Sequence, residues 1–185
     1  MRLKKFSFKT VNSTNDIAIK IIKKNKIQSG MIVAEKQKKG RGQYGKKWTS
    51  YKGNMFVSIF FRIDKIKLSL NVLTKINCLL VKKLLSNFYK GKISIKKPND
   101  LLINKKKISG ILQETLSKSG KKYIIVGIGI NLIKNPSIKN YPTTNLLELI
   151  NLKINSNNAS TKIKKIYEKF IPMLPRLNMK NLDKI

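Results

Sequence analysis

The run Tyr123-Ile124-Ile125-Val126-Gly127-Ile128-Gly129-Ile130 carries no charge and consists mainly of β-branched residues. A stretch of this kind reads as a strand in the middle of a sheet, because an exposed edge or a half-solvated face would call for alternating polar residues. It falls well short of the roughly 18 apolar residues that would suggest a membrane-spanning helix. The basic N-terminus does not lead into an apolar signal core with a small-residue cleavage site, so the sequence reads as cytoplasmic. Its 185 residues, 41% hydrophobic, suit one core-forming domain with a short appendage.

Other segments fill in the frame. Ser13 precedes a run in which Ile17, Ala18, Ile21 and Ile22 share a helical face, predicting a helix over 14–26 capped by Ser13, with Asp16 three residues on. Met31 to Ala34 and Met55 to Phe61 read as strands, with the glycine-rich segment 40–45 as a loop between them. From Leu68 to Phe88, apolar residues recur at spacings of three and four, predicting an amphipathic helix. Ile93 to Lys96 and Leu101 to Ile103 read as strands interrupted at Pro98. Asn104-Lys105-Lys106 follows as a hairpin turn into Ile108 to Thr115. After Pro142 the pattern changes: 152–160 reads as an Asn- and Ser-rich linker, and a helix near 163–173 ends at Pro172 and Pro175. The expected architecture is an α+β domain with a largely antiparallel or mixed sheet. Residues 1–150 are expected to form the functional domain, and 151–185 a linker and helical tail.

Composition removes several chemistries. The chain has no histidine and one cysteine, Cys78, in an apolar setting. His-based triads, His-ligated zinc and intrachain disulfides are excluded, and Cys78 reads as a small buried hydrophobe. The formal net charge of +33 is spread along the chain rather than gathered into an arm, and accompanies an excess of Ile and Asn. That distribution favours a compositional bias over a nucleic-acid role, although the field would draw polyphosphates and acidic partners to the surface.

Three segments can carry chemistry. In Gly40-Arg41-Gly42-Gln43-Tyr44-Gly45-Lys46-Lys47-Trp48, glycines let backbone N–H groups approach an anion while Arg41 and Lys46 neutralise it. The segment lacks the Gly-Lys-Ser/Thr of a Walker motif, and a flexible surface loop is the alternative. Lys96-Lys97-Pro98-Asn99-Asp100 and Lys107-Ile108-Ser109-Gly110-Ile111-Leu112-Gln113-Glu114 flank one predicted hairpin, and place two of only eight carboxylates there. The third segment, Gly127-Ile128-Gly129-Ile130-Asn131, has glycines within a strand, for a bulge, for a ligand against the backbone or for packing.

Taken together and in this order, Gly40-Arg41-Gly42-x-x-Gly45-x-x-Trp48, Lys96-x-Pro98-Asn99-Asp100, Lys107-x-x-Gly110-Ile111-Leu112-x-Glu114 and Gly127-Ile128-Gly129-Ile130-Asn131 resemble the biotin protein ligases over about residues 8–150. The resemblance implies a fold related to class II aminoacyl-tRNA synthetases and lipoate ligases, a mixed sheet with helices packed against one side. It implies formation of biotinyl-5′-AMP from ATP and biotin, with Mg²⁺ accompanying the nucleotide. Biotin is then transferred to a lysine of a biotin carboxyl carrier protein domain, as in acetyl-CoA carboxylase. Matched by position, Ser13, Thr14, Asn15, Gln37, Gly40, Arg41, Gly42, Gln43, Lys107 and Gly110 would hold biotin or its adenylate. Trp48, Lys96, Asn99, Asp100 and Asn131 would serve ATP. Arg41 and Lys107 would carry the chemistry, with the Lys107 charge acting on bound anions rather than on the fold. No metal-ligand set is identified.

The sequence departs from that pattern at some positions. Gln43 and Lys46 stand where the family usually has arginines, so the intermediate is expected to leak; Lys97 replaces a tryptophan. No helix-turn-helix pattern precedes the domain, so DNA binding is not expected; no small β-barrel of the kind that closes on ATP in the family is recognisable after Pro142, so a weaker hold on ATP is expected. The chain reads as a monomer or homodimer. A lipoate or octanoate ligase or transferase on the same fold is the runner-up, ahead of a basic nucleic-acid-binding module or a non-catalytic paralogue.

Overall fold

The structure is a computed structural model that describes residues 1–24 and 27–177. Positions 25 and 26 of the expected first helix, and 178–185 of the expected tail, lie outside the described residues. Seven strands form one mixed sheet. In chain order they are β1 (Lys4–Val11), β2 (Ser29–Gln37), β3 (Met55–Arg62), β4 (Ile93–Lys96), β5 (Asp100–Ile103), β6 (Lys106–Lys118) and β7 (Lys121–Ile130). Their spatial order is β1-β2-β3-β7-β6-β5-β4, with β1 and β2 parallel and every other pairing antiparallel. The uncharged run that opened the sequence reading is the core of β7, which lies fourth of the seven.

The helices are α1 (Thr14–Lys24), α2 (Leu70–Leu85), α3 (Leu146–Ile150) and α4 (Ser156–Phe170). They do not share one side of the sheet, and this corrects the sequence expectation. Because alternate strand residues face opposite ways, Met31, Ile59, Ile124 and Val126 point into a large core with α2 and α4. Their neighbours Ile32, Phe60 and Ile125 point into a smaller core under Ala18 and Ile22 of α1. Cover on both faces accounts for a β7 sequence that is apolar without alternation.

Two further readings change. Strand β1 went unpredicted because its residues are mostly exposed, with Lys4, Lys5 and Lys9 along an edge that pairs only with β2. The stretch expected to be linker instead contains a helix start: the Asn155 side chain accepts from Asn157 N–H, and α4 runs from Ser156. Helix α4 buries Ala159, Ile163, Tyr167 and Phe170 in the large core. Its Tyr167 hydroxyl donates to Asn77 of α2 at 2.9 Å, and Asn77 donates to Gln113 of β6 at 2.9 Å. Buried polar groups joined in this way add directional pairing to the apolar contact.

Strand pairing decides where the motifs meet. The β5–β6 turn puts Asn104 and Lys105 at left-handed φ values of 49° and 61°, as a two-residue primed turn requires. The turn pairs Ile103 with Lys106, and a one-residue bulge at Ile108 then sets Asp100 opposite Gly110, which in turn lies opposite Gly129. Three segments distant in sequence thus lie in one row across β5, β6 and β7.

Candidate active site

That row is part of the wall of a cavity of about 780 Å³, and every expected site residue except Gly40 lines it. Gly40 sits behind the wall, where a Cβ would lie 2.6 Å from the Trp48 carbonyl oxygen, so the loop closes only with a bare backbone there. The glycine loop folds back on itself. Gly42 N–H donates to the Lys46 carbonyl at 2.6 Å, and Trp48 N–H donates to the Gly40 carbonyl at 2.9 Å.

The Trp48 indole lies against the sheet at Gly110 and Gly129. A Cβ on Gly129 would stand 2.4 Å from the ring, and one on Gly110 would stand 2.7 Å from it. The glycines within strands are therefore explained by close approach of a protein side chain rather than by a bulge. The Trp48 Nε1–H is buried without an acceptor in the protein, an open donor position beside the cavity.

Part of the lining is a hydrogen-bonded network of uncharged side chains, Thr14, Asn15 and Gln37, anchored on Ser58 and Glu114. Gln37 Oε1 accepts from Thr14 N–H at 2.8 Å, with the Thr14 hydroxyl 3.1 Å away. The Ser58 hydroxyl, with one proton to give, sits 2.5 Å from Asn15 Oδ1 and 2.7 Å from Thr14 Oγ1. Asn15 in turn donates to Glu114 at 2.6 Å. Ser13, Thr14, Asn15 and Ser58 are buried, so water does not compete for these hydrogen bonds.

The lining also carries six lysines, Lys46, Lys47, Lys96, Lys97, Lys107 and Lys139. Lys107 Nζ stands 2.9 Å from Asp100 Oδ1, their side chains 18% and 14% exposed. That oxygen has no aligned hydrogen bond, so the nearby ammonium compensates it by charge alone. The Tyr141 hydroxyl donates to the other Asp100 oxygen at 2.6 Å, and the Lys96 and Lys107 ammonium groups stand 4.2 and 5.4 Å from the Tyr141 ring centre. Burial, reinforced by the Asp100 carboxylate, pushes the Tyr141 hydroxyl well above its ordinary pKa, so it stays a donor. Lys107 thus has a structural partner, which corrects the expectation that its charge acts on bound anions alone.

Arg41 is paired as well. Its Nη1 and Nη2 donate to the two Glu114 oxygens at 3.0 Å each, and Nη2 also donates to Asp16 at 2.7 Å. Burial works against its charge, but Glu114 and Asp16 outweigh it and raise its pKa further. The guanidinium reaches the cavity already neutralised, rather than as an open cation awaiting phosphate. Two other expected ligand residues have internal duties: Asn99 donates to the Ile111 carbonyl at 2.6 Å, and Asn131 to the Thr144 carbonyl at 3.1 Å. Among the described residues, no group of three or more acidic, His or Cys side chains is placed to hold a metal. No helix among them is long and apolar enough to cross a membrane.

Sequence reasoning gave Tyr141 and Asp16 no place in the site, and noted Glu114 for the scarcity of carboxylates without assigning it a role. Tyr141 lies in a segment without periodicity, and nothing local connects it to Asp100.

Comparison with known proteins places this geometry. The profile of the Biotin/lipoate A/B protein ligase family matches residues 7–131. The chain is 32% identical over 125 residues to the bifunctional ligase/repressor BirA of Escherichia coli K12, a match covering 66% of this chain and 38% of that protein. It is 32% identical over 128 residues to the biotin–[acetyl-CoA-carboxylase] ligase of Paracoccus denitrificans, covering 68% of this chain and 53% of that protein. The match therefore spans well under two thirds of these relatives' length. Biotin protein ligase from Aquifex aeolicus, solved with biotin and ATP, superposes with a TM-score of 0.83 at 27% identity, covering 98% of this chain and 75% of that one. On the matched profile, and on relatives about a third identical to it over the matched segment, the chain belongs to the Biotin/lipoate A/B protein ligase family.

Proposed function

We propose that this chain is an ATP-dependent biotin–protein ligase. It would form biotinyl-5′-AMP and pass biotin to a lysine of a carrier domain of the biotin carboxyl carrier type. The observation that carries the reading is one cavity whose lining combines neutral hydrogen-bonding groups at Thr14, Asn15 and Gln37 with six lysines. A neutral ureido head with a carboxylate tail suits the first set, and a triphosphate suits the second. The Aquifex relative solved with biotin and ATP supports the same substrate pair.

The chemistry needs no proton-transfer residue at its first step. The biotin carboxylate, ionised at neutral pH, attacks the α-phosphorus of ATP; the bond to the β-phosphate oxygen breaks and pyrophosphate leaves. The protein's task is to hold two anions together in a site sheltered from water, and the lysines around Lys107 supply the positive field. Mg²⁺ would arrive with the nucleotide. In the second step a neutral acceptor amine attacks the acyl carbon, AMP leaves with the electron pair of the broken C–O bond, and the amine's proton passes to solvent. A surface this positive favours loss of that proton beforehand. We place the reaction in the cytoplasm, in a monomer or homodimer without DNA binding. We assign Asp100 and Tyr141 to holding Lys107, Trp48 to the cavity wall, and residues 151–177 to packing support.

The test is incubation of the purified chain with ATP and either biotin or lipoate, following pyrophosphate. Release with biotin and not lipoate is the expected result; release with lipoate alone would assign the chain to the lipoate branch of the family.

A further inference from the structure

Strand β7 ends at Ile130, and a parallel bridge between Thr143 and Lys107 brings the chain back to the sheet. The segment between them has an outgoing and a returning limb. One side chain outside the cavity wall grips the outgoing limb. Three successive N–H groups, those of Leu132, Ile133 and Lys134, converge on Asn54 Oδ1 at 3.0, 3.0 and 3.3 Å, while Asn54 Nδ2 donates to the Lys134 carbonyl at 2.6 Å. Asn54 is 1% exposed, so its carboxamide is committed to this limb. A carboxamide fits because the backbone needs an acceptor for three N–H groups and a donor for a carbonyl side by side. Gly53, at a φ of 92°, lets the limb come this close, since a Cβ there would overlap the Ile133 side chain.

The returning limb is held by the backbone of Lys107, whose N–H donates to the Pro142 carbonyl at 2.8 Å and whose carbonyl accepts from Thr144 N–H at 3.0 Å. The limbs are also tied to each other. Asn135 Nδ2 donates to Thr143 Oγ1 at 2.8 Å, and Asn145 Nδ2 donates to Asn135 Oδ1 at 2.5 Å. Residues 136–141, between the tied limbs, bring Ile138, Lys139 and Tyr141 to the cavity lining, Tyr141 beside Lys96 and Lys107. The Thr14, Asn15 and Gln37 network takes its hydrogen bonds from other elements, at Ser50, Ser58, Leu112 and Glu114.

We propose that Asn54 is a positioning residue for the nucleotide. From outside the cavity it fixes where residues 132–134 leave the sheet, and so where Ile138, Lys139 and Tyr141 stand against bound ATP. Placing ATP at this part of the lining rests on the ligase reading. Because the limbs are short and tied together, a shift at 132–134 passes to 136–141 instead of being absorbed, and small displacements of binding groups carry large kinetic costs. The effect falls on ATP rather than on biotin, whose hydrogen-bonding set is anchored elsewhere.

Pyrophosphate release, with ATP and biotin varied in turn, would be measured for the wild type, Asn54→Ala, Asn54→Asp and Asn135→Ala. Asn54→Ala removes both halves of the grip and should raise the ATP KM by about tenfold or more while the biotin KM stays within about twofold. Asn54→Asp keeps an acceptor for the three N–H groups, which favour a carboxylate, and should bring the ATP KM back to within about threefold of wild type. Asn135→Ala unties the limbs at a partly exposed position and should raise the ATP KM by about threefold or more, again sparing biotin, so it decides the matter if Asn54→Ala does not fold. An ATP KM that stays at the wild-type value in Asn135→Ala, a biotin KM that rises in step with that for ATP, or an Asn54→Asp protein no better than Asn54→Ala would overturn the proposal alone. A wild type that releases no pyrophosphate with either biotin or lipoate would overturn the ligase reading and this inference together.

Discussion

Replacing Lys107 separates two roles that the structure joins in one side chain. Lys107→Met keeps the length of the chain and its packing near Trp48 and Tyr141 but removes the ammonium 2.9 Å from Asp100. Deleting one partner of a fully buried ion pair costs about 3–5 kcal/mol, because the remaining charge is stranded. Here the pair is 18% and 14% exposed and Tyr141 still donates to the other Asp100 oxygen, so about 2–3 kcal/mol is expected. For a chain of this size that lowers the Tm by about 5–10 °C. The second variant, Lys107→Met/Asp100→Asn, removes the stranded charge while leaving an oxygen for Tyr141, and should recover most of the lost Tm. Adenylate formation should stay about a hundredfold or more below wild type in both variants, because neither restores a cation at the cavity. Circular-dichroism melting and pyrophosphate release, run on the same preparations, read the two roles independently. If Lys107→Met melts with the wild type, the ion pair contributes no stability; if the double variant turns over normally, the assignment of Lys107 is wrong.

Gly129→Ala places a methyl 2.4 Å from the indole where ordinary contact is 3.4–4 Å, so Trp48 must move. Its emission should shift to the red while the melting temperature changes by only a few degrees; an unmoved spectrum would contradict the packing described. Gln43→Arg adds a guanidinium to the cavity lining and should lengthen retention of biotinyl-adenylate, measured by rapid filtration. Equal release from both proteins would reject the idea that Gln43 makes the intermediate leak. Burial, with a contribution from Asp100, pushes the Cys78 thiol up to about 12, so at pH 8 it should react with a thiol reagent only after unfolding. Rapid labelling of the native protein would show that Cys78 is not enclosed.

Elements whose patterns are local were legible. The apolar run of β7 and the three-and-four spacing of α2 each announce their own burial, and the observed bounds differ from the expected ones by a few residues. The glycine, Lys-x-Pro-Asn-Asp and Gly-x-Gly segments indicated a shared site because their order is informative, and strand register then brought them together. What stayed hidden depends on which surfaces meet. Nothing in Ile17, Ala18, Ile21 and Ile22 says which face of the sheet α1 will cover, and lysine-rich β1 shows little of its strand character once paired only at one edge. Charge pairing is hidden in the same way. The sequence marks Arg41 and Lys107 as cations, but their engagement by Asp16, Glu114 and Asp100 follows from contacts across as many as 73 positions. The linker expectation failed because an Asn- and Ser-rich stretch suits a helix N-cap as well as a loop, and Asn155 is such a cap.

The account depends on the carboxylate of the small acid attacking phosphorus within this cavity. Biotin labelled with ¹⁸O in its carboxyl group, incubated with ATP, the chain and a carrier-domain acceptor, tests this directly. One labelled oxygen should appear in the AMP released, because the oxygen that forms the mixed anhydride leaves with phosphorus when the acceptor amine takes the acyl group. Biotinylated acceptor accompanied by AMP without label would contradict it.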